Sequence, residues 1–273
     1  MPEQQLYTWA CLTHTGNVRA NNEDSMIVLR VEDTGTTELE NKGTAELPPK
    51  GFVGAVADGM GGVGGGELAS SYARTGLLED LGGPECPHPE EAYLQELINT
   101  INYRILGVAS DDPELAGMGT TLTLGWFRGD TLTMAHVGDS RLYRFRKGTF
   151  EQLSDDQSPV GRLLREGRIT NEEAREHPHR NVIDQAVGSH FEGLKAAVVK
   201  FPVEDDDLFL FCSDGLNEEL WDHEMAEAIQ DAQRTDKPLP ALAEDLVSKA
   251  LIAGGKDNVT VVLVQVHQQE SAQ

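Results

Sequence analysis

The sequence predicts an α+β layered fold, and three features carry that prediction. Short runs rich in Val, Leu, Phe and Thr recur between Gly, Asp or Lys-Gly punctuation and read as strands. Arg128-Gly129-Asp130 and Lys147-Gly148 join consecutive runs as hairpin turns, so the middle of the chain reads as an antiparallel meander. Apolar residues at helical spacing fall in separate blocks, which suits helices grouped on sheets.

In chain order, strands are expected at Ser25 to Val31, Phe52 to Ala57, Thr120 to Phe127, Thr131 to Val137, Arg141 to Arg146, Ala196 to Phe201, Leu208 to Cys212 and Val259 to Val266. A helix is expected to start near Glu67, and Leu94, Leu97, Ile98, Ile101 and Ile105 line one face of the next. Met225, Ala228, Ile229 and Ala232 mark another, and Leu239, Leu242, Leu246 and Ala250 one more. Thr170 followed by Glu173 is a capping-box signature, with Pro178 ending the helix after it. The polar, aperiodic segment 32–50 reads as a surface loop or ragged hairpin, and residues 267–273 as a frayed tail. The whole span 1–273 is expected to form one domain without internal repeats.

Composition narrows the function classes. Forty-six acidic against 22 basic side chains leave a net charge of −24, which would repel nucleic acid and anionic membranes. No apolar stretch is long enough to span a bilayer, and the opening residues lack the features of a signal peptide. Cys11, Cys86 and Cys212 are scattered and unpaired by spacing, as expected of thiols in a reducing cytoplasm.

The chemistry lies in where the aspartates fall. Phe52 to Ala57 runs into Asp58-Gly59, Leu132 to Val137 into Gly138-Asp139, and Leu208 to Cys212 into Ser213-Asp214-Gly215, while Asp257-Asn258 stands directly before Val259. Any one Asp-Gly is an ordinary turn initiator. The repeated delivery of a carboxylate to a strand end is harder to assign to turns, because gathered acids repel one another unless cations neutralise them. An all-oxygen set favours Mg²⁺ or Mn²⁺ over Zn²⁺, and two such ions suit hydrolysis at phosphorus. Near the N-terminus, Glu23-Asp24 adds acid, and Arg19 is the natural phosphate clamp, weighed against a plain salt bridge to Glu23 or Asp24.

Gly59-Met60-Gly61-Gly62-Val63-Gly64 matches the dinucleotide-binding pattern G-x-G-x-x-G and sits between a strand and a helix. Asp58 would repel a pyrophosphate there, and the hairpins downstream are not the crossovers of a parallel nucleotide-binding sheet. These glycines fit close approach of the backbone to a metal site, with the Gly59 carbonyl as a ligand.

Taken together, these residues resemble the metal-dependent protein phosphatase family, the type 2C fold, in its compact bacterial form. Arg19-Ala20-Asn21-Asn22-Glu23-Asp24, Asp58-Gly59-Met60-Gly61-Gly62, Gly117-Met118-Gly119-Thr120-Thr121, Gly138-Asp139-Ser140-Arg141, Ser213-Asp214-Gly215-Leu216 and Asp257-Asn258-Val259-Thr260 match its motifs in order, over nearly the whole chain. The resemblance implies an α-β-β-α sandwich of two mostly antiparallel sheets flanked by helix pairs. It implies that Asp58 bridges two Mg²⁺ or Mn²⁺ ions, that the Gly59 carbonyl binds one, and that Asp214 and Asp257 bind the other. Asp24 acts directly or through water, Asp139 with Asp214 holds a third, looser ion, and Arg19 binds the substrate phosphate. A flap corresponds roughly to residues 154–188. Substrates would be phosphoserine and phosphothreonine proteins made by a bacterial serine/threonine kinase, and the enzyme a cytoplasmic monomer in signalling.

Two departures leave the leaving-group acid unassigned: Met60 and Val63 stand where family members carry histidines. A metal-bound water is expected ahead of His177 or His179, which read as surface histidines beside a proline. The rival readings are a non-catalytic phosphoprotein binder and a two-metal hydrolase of small phosphate esters.

Overall fold

A computed structural model describes residues 5–62, 64–82, 89–189 and 193–268; Val63 and Cys86 lie outside them. The chain runs β1 (Gln5–His14), β2 (Asp24–Glu32), β3 (Gly35–Glu38), β4 (Lys42–Glu46) and β5 (Phe52–Met60), then α1 (Gly65–Asp80) and α2 (Glu91–Asp111). Next come β6 (Gly119–Thr120), β7 (Leu122–Arg128), β8 (Thr131–Val137), β9 (Arg141–Arg146) and β10 (Thr149–Gln152). Short helices α3 (Pro159–Arg165) and α4 (Asn171–Arg175) precede β11 (Ala197–Pro202) and β12 (Leu208–Cys212). The chain closes with α5 (Asp214–Asn217), α6 (Asp222–Arg234), α7 (Leu239–Ala253) and β13 (Val259–Gln268).

Two antiparallel sheets result. One is six-stranded, ordered β10-β9-β12-β13-β1-β4; the other is seven-stranded, ordered β11-β8-β7-β5-β2-β3 with β6 paired to β5. The alternation of side chains along a strand turns two sheets into four layers. On β5, Val53, Ala55 and Ala57 join the core under α1 and α2, while Phe52 and Val56 face the opposite sheet. On β13, Val261 and Leu263 join the core under α6 and α7, while Val262 and Val264 point inward. Phe52, Phe127 and Phe209 with Tyr7 fill the seam between the sheets, with ring centroids 5.1–6.0 Å apart. Burying each such ring contributes roughly 1.5–3 kcal/mol. The α-β-β-α sandwich expected from the sequence is therefore present.

Some elements differ from expectation. Strand β1 was not anticipated, although Tyr7 and Trp9 alternate into the seam. The segment 32–50 does not fold on itself: β3 pairs with β2 and β4 with β1, so it crosses from one sheet to the other. The expected meander is two hairpins in different sheets, β7–β8 and β9–β10. The switch between them lies at Gly138, whose φ of +104° suits glycine and whose added Cβ would stand 2.7 Å from Thr121. Of the expected tail 267–273, residues 267 and 268 belong to β13, which pairs with β1 through Gln268, and 269–273 lie outside the described residues.

Candidate metal and phosphate site

Strand parity carries the aspartates to one place. Asp24 lies in the same alternation as Met26 and Val28 on β2, and Asp58 in the same alternation as Phe52 and Val56 on β5. Asp24 and Asp58 are register partners across the β2–β5 pair. Both therefore stand where the apolar seam ends. From the other sheet, Ser213 continues the inward positions of β12, and its hydroxyl donates to Asp24 Oδ2 at 2.7 Å. Asp214 follows as the first residue of α5.

Each carboxylate is fixed by its backbone. The Asp58 N–H donates to Thr121 Oγ1 at 2.9 Å, and its carbonyl accepts from the Thr121 N–H at 2.8 Å. Thr121 Oγ1 lies 2.7 Å from Ser140 Oγ, which ties Asp58 to the sheet-switching turn that carries Asp139. Gly59 has no room for a side chain: an added Cβ would meet the Gly66 carbonyl oxygen at 2.0 Å and the Glu23 oxygen at 2.5 Å. The close approach seen at this glycine is between backbones, and it packs the start of α1 onto β5. Both neighbours of β5 in its sheet, β2 and β7, are antiparallel, which excludes the dinucleotide-binding topology.

Asn258 fastens the N-terminal loop to the Asp257 turn. Its amide nitrogen donates to the Thr15 and Asn21 carbonyls at 2.8 and 2.9 Å, and its oxygen accepts from the Glu23 N–H at 2.7 Å. That places Arg19 beside Asp257, with Nη2 donating to Oδ2 at 2.6 Å. The salt bridge weighed for Arg19 exists, and its partner is Asp257 rather than Glu23 or Asp24. The guanidinium side chain remains 51% exposed.

The electrostatics are those of unneutralised acids. Burial, reinforced by the charges of Asp24, Asp214, Asp139 and Asp257, holds the Asp58 carboxyl well above the usual range. Asp214 is raised by burial and then by Asp139, Glu218, Asp257 and Asp24. Burial lifts Asp139 to about 7, with Asp156 adding and Arg141 opposing. Burial lifts Asp24 to about 6 against the hydroxyls of Thr260 and Ser213. Asp24 Oδ1 and Asp214 Oδ1 are buried without a hydrogen-bond partner. Buried acceptors without donors, in an all-oxygen set that raises its own pKa values, fit hard divalent cations. Among the described residues, no group of three or more His, Cys, Asp or Glu side chains stands close enough together to hold a metal ion as it is. Arg19 and the Asn258 N–H hold the two oxygens of Asp257.

Sequence reasoning missed the supports. Ser213, Asn258, Thr260 and Thr121 all lay inside the motifs, but nothing in the sequence showed that their polar atoms brace the aspartates. Gln157 was missed as well; its side chain accepts from the Gly138 N–H at 3.0 Å and so steadies the Asp139 turn from the 154–188 segment. His177 and His179 engage each other, with ring centroids 5.7 Å apart and the His179 N–H on His177 Nδ1.

The sequence profile described as Protein phosphatase 2C matches residues 43–250. The chain belongs to this family. It is 36% identical over 261 residues to the serine/threonine protein phosphatase PstP of Mycobacterium tuberculosis, covering 94% of this chain and 45% of that protein. The chain thus spans about half the length of that relative. It is 35% identical to the serine/threonine phosphatase stp of Listeria innocua, with 93% of each covered. The crystal structure of PstP superposes with a TM-score of 0.79 at 34% identity, over 96% of this chain and all of that one. A second PstP structure, of the catalytic domain in complex with two manganese ions, gives a TM-score of 0.77 at 33% identity, over 97% of this chain and 100% of that one.

Proposed function

We propose that this member of the protein phosphatase 2C family is a metal-dependent protein serine/threonine phosphatase. The observation that carries the reading is the gathering of Asp24, Asp58, Asp139, Asp214 and Asp257 around one end of the intersheet seam, with two buried carboxylate oxygens lacking any protein donor. The two manganese ions in the PstP complex fit such a set. Asp58, the Gly59 carbonyl, Asp214 and Asp257 would hold two Mg²⁺ or Mn²⁺ ions, with Asp24 acting directly or through water. Asp139 and Asp214 would hold a third, looser ion. Bound there, the ions supply charge neutralisation at phosphate and a water acidic enough to attack phosphorus at neutral pH.

The chain's own residues do the rest. Arg19 binds the substrate phosphate, since its planar guanidinium can grip two oxygens, and to do so it leaves Asp257. That exchange frees an Asp257 oxygen, so phosphate capture and completion of the ligand set are linked through one side chain. The substrates are phosphoserine and phosphothreonine proteins made by a serine/threonine kinase, and the enzyme acts as a cytoplasmic monomer in signalling. Among the described residues, no helix is long and apolar enough to cross a membrane.

Hydrolysis of a phosphothreonine peptide and of p-nitrophenyl phosphate with Mn²⁺, with and without chelator, tests the reading. Turnover is expected only with the metal; undiminished turnover in chelator rules the scheme out. Faster turnover of nucleotides than of the phosphopeptide would move the assignment to small phosphate esters.

A further inference from the structure

We propose that Arg175 is a positioning residue that couples the 154–188 segment to the turn carrying Asp214. The inference rests on the phosphatase reading, which gives Asp214 its role. Arg175 is the last residue of α4, a short helix whose start is set by a reciprocal cap: the Thr170 hydroxyl accepts from the Glu173 N–H, and the Glu173 carboxylate from the Thr170 N–H. From there its guanidinium reaches a different part of the fold. Nη1 donates to the Glu218 carbonyl at 2.7 Å, and Nη2 to the carbonyls of Asn217 and Leu220 at 2.7 and 2.6 Å. The same group lies over the Trp221 ring, 3.7 Å from its centroid.

The receiving carbonyls have a specific reason to need donors. Helix α5 is a single turn, Asp214–Asn217: the Asp214 and Leu216 carbonyls accept from the Glu218 and Leu220 N–H groups, while those of Asn217, Glu218 and Leu220, where the helix has ended, take their donors from Arg175. Arg175 supplies those donors and closes the junction into α6. The other end of that turn is Asp214 itself, and between the two there is little slack. An added Cβ on Gly215 would stand 2.0 Å from the Asn258 carbonyl oxygen, so the turn is pressed against the neighbour of Asp257. A shift of α4 is therefore transmitted to Asp214 through a rigid one-turn helix. Lysine cannot substitute, because one ammonium cannot serve three divergent carbonyls while stacking on an indole.

The test uses the full chain and the variants Arg175→Lys, Arg175→Ala and Trp221→Leu. Amide hydrogen exchange is read separately in 168–182 and 214–221, and Mn²⁺ affinity by titration calorimetry. Exchange in both peptides should rise together in R175K, by tenfold or more, and Mn²⁺ binding should weaken about tenfold, the scale usual for a residue that orients a metal ligand. W221L should move both readouts the same way by a smaller factor. R175A leaves three carbonyls without donors; if it fails to fold, R175K and W221L decide. The proposal is overturned if, in R175K, either the 214–221 amides or the Mn²⁺ affinity stays at the wild-type value. A wild-type chain that binds Mn²⁺ but hydrolyses no phosphopeptide would sink the phosphatase reading and leave the coupling measurable; one that binds no Mn²⁺ would sink both.

Discussion

Strand β12 has an aspartate at each end, Asp207 before Leu208 and Asp214 after Cys212, and the two are treated in opposite ways. Asp207 is fully buried and fully answered: Arg146 Nε and Nη2 each donate at 2.6 Å, and the Glu204 N–H at 2.8 Å. Asp214 keeps a buried oxygen without a partner and faces Asp139, Asp257 and Asp24. An acid that serves the fold brings its own cation, because a buried charge left unpaired is costly. An acid left without one is open to a cation from solution, and on the proposed reading that is where the molecule gives up stability for function.

The largest effect that would test this contrast is on turnover. Asp214→Asn should lower the Mn²⁺-dependent rate about 10²- to 10³-fold, the scale of losing a charge-stabilising group, while the metal-free protein melts no lower than wild type. A wild-type rate in this variant would remove Asp214 from the centre. Asp207→Ala should do the reverse. Losing the three charge-assisted hydrogen bonds to Asp207, with Arg146 left to Glu204 as its carboxylate partner, should cost about 3 kcal/mol in denaturant unfolding, with the rate per folded molecule unchanged. Somewhat smaller is stabilisation by the metal: Mn²⁺ at a hundred times its dissociation constant should add about 2.7 kcal/mol to wild type and to D207A, and less to D214N. Equal gains in all three would mean the ion binds elsewhere.

The smallest effect concerns His136, buried beneath the Asp139 turn with Thr123 Oγ1 2.9 Å from Nδ1 and the Asp155 carbonyl 3.1 Å from Nε2. Burial lowers its pKa, with Asp156 partly opposing. The unfolded chain therefore binds this proton more readily than the folded one, so the contribution is intact above about pH 6.5 and is lost as pH falls through the lowered value. His136→Gln should flatten that part of the acid limb in a melting-temperature profile. An unchanged limb would show that the carboxylates alone set it.

The sequence made the fold and the aspartates legible for the same reason: strands buried on both faces are nearly continuous in apolar residues, so a carboxylate at their end stands out. Edge strands do not advertise themselves in that way. In Gly35–Glu38 and Lys42–Glu46 little surface is buried, so polar residues are tolerated, and the crossing from sheet to sheet could not be read. The meander failed because a turn signal reports a change of direction without reporting which sheet receives the next strand. Likewise Arg19 was recognisable as a candidate phosphate ligand, but its pairing with Asp257 depends on a contact between residues 238 positions apart. The braces from Ser213, Thr121 and Asn258 are hydroxyls and an amide, residue types common enough in turns that composition cannot separate a brace from a cap.

The insertion of β13 between β1 and β12 has a consequence for biosynthesis. On the ribosome, β1 emerges first yet waits for its longest partner until almost everything else in the fold has been translated. Asp257 arrives with that same strand, so a nascent chain can pack α1 and α2 on their sheet well before it owns a complete ligand set. On the phosphatase reading, a chain stopped short of β13 would therefore lack part of the proposed ligand set.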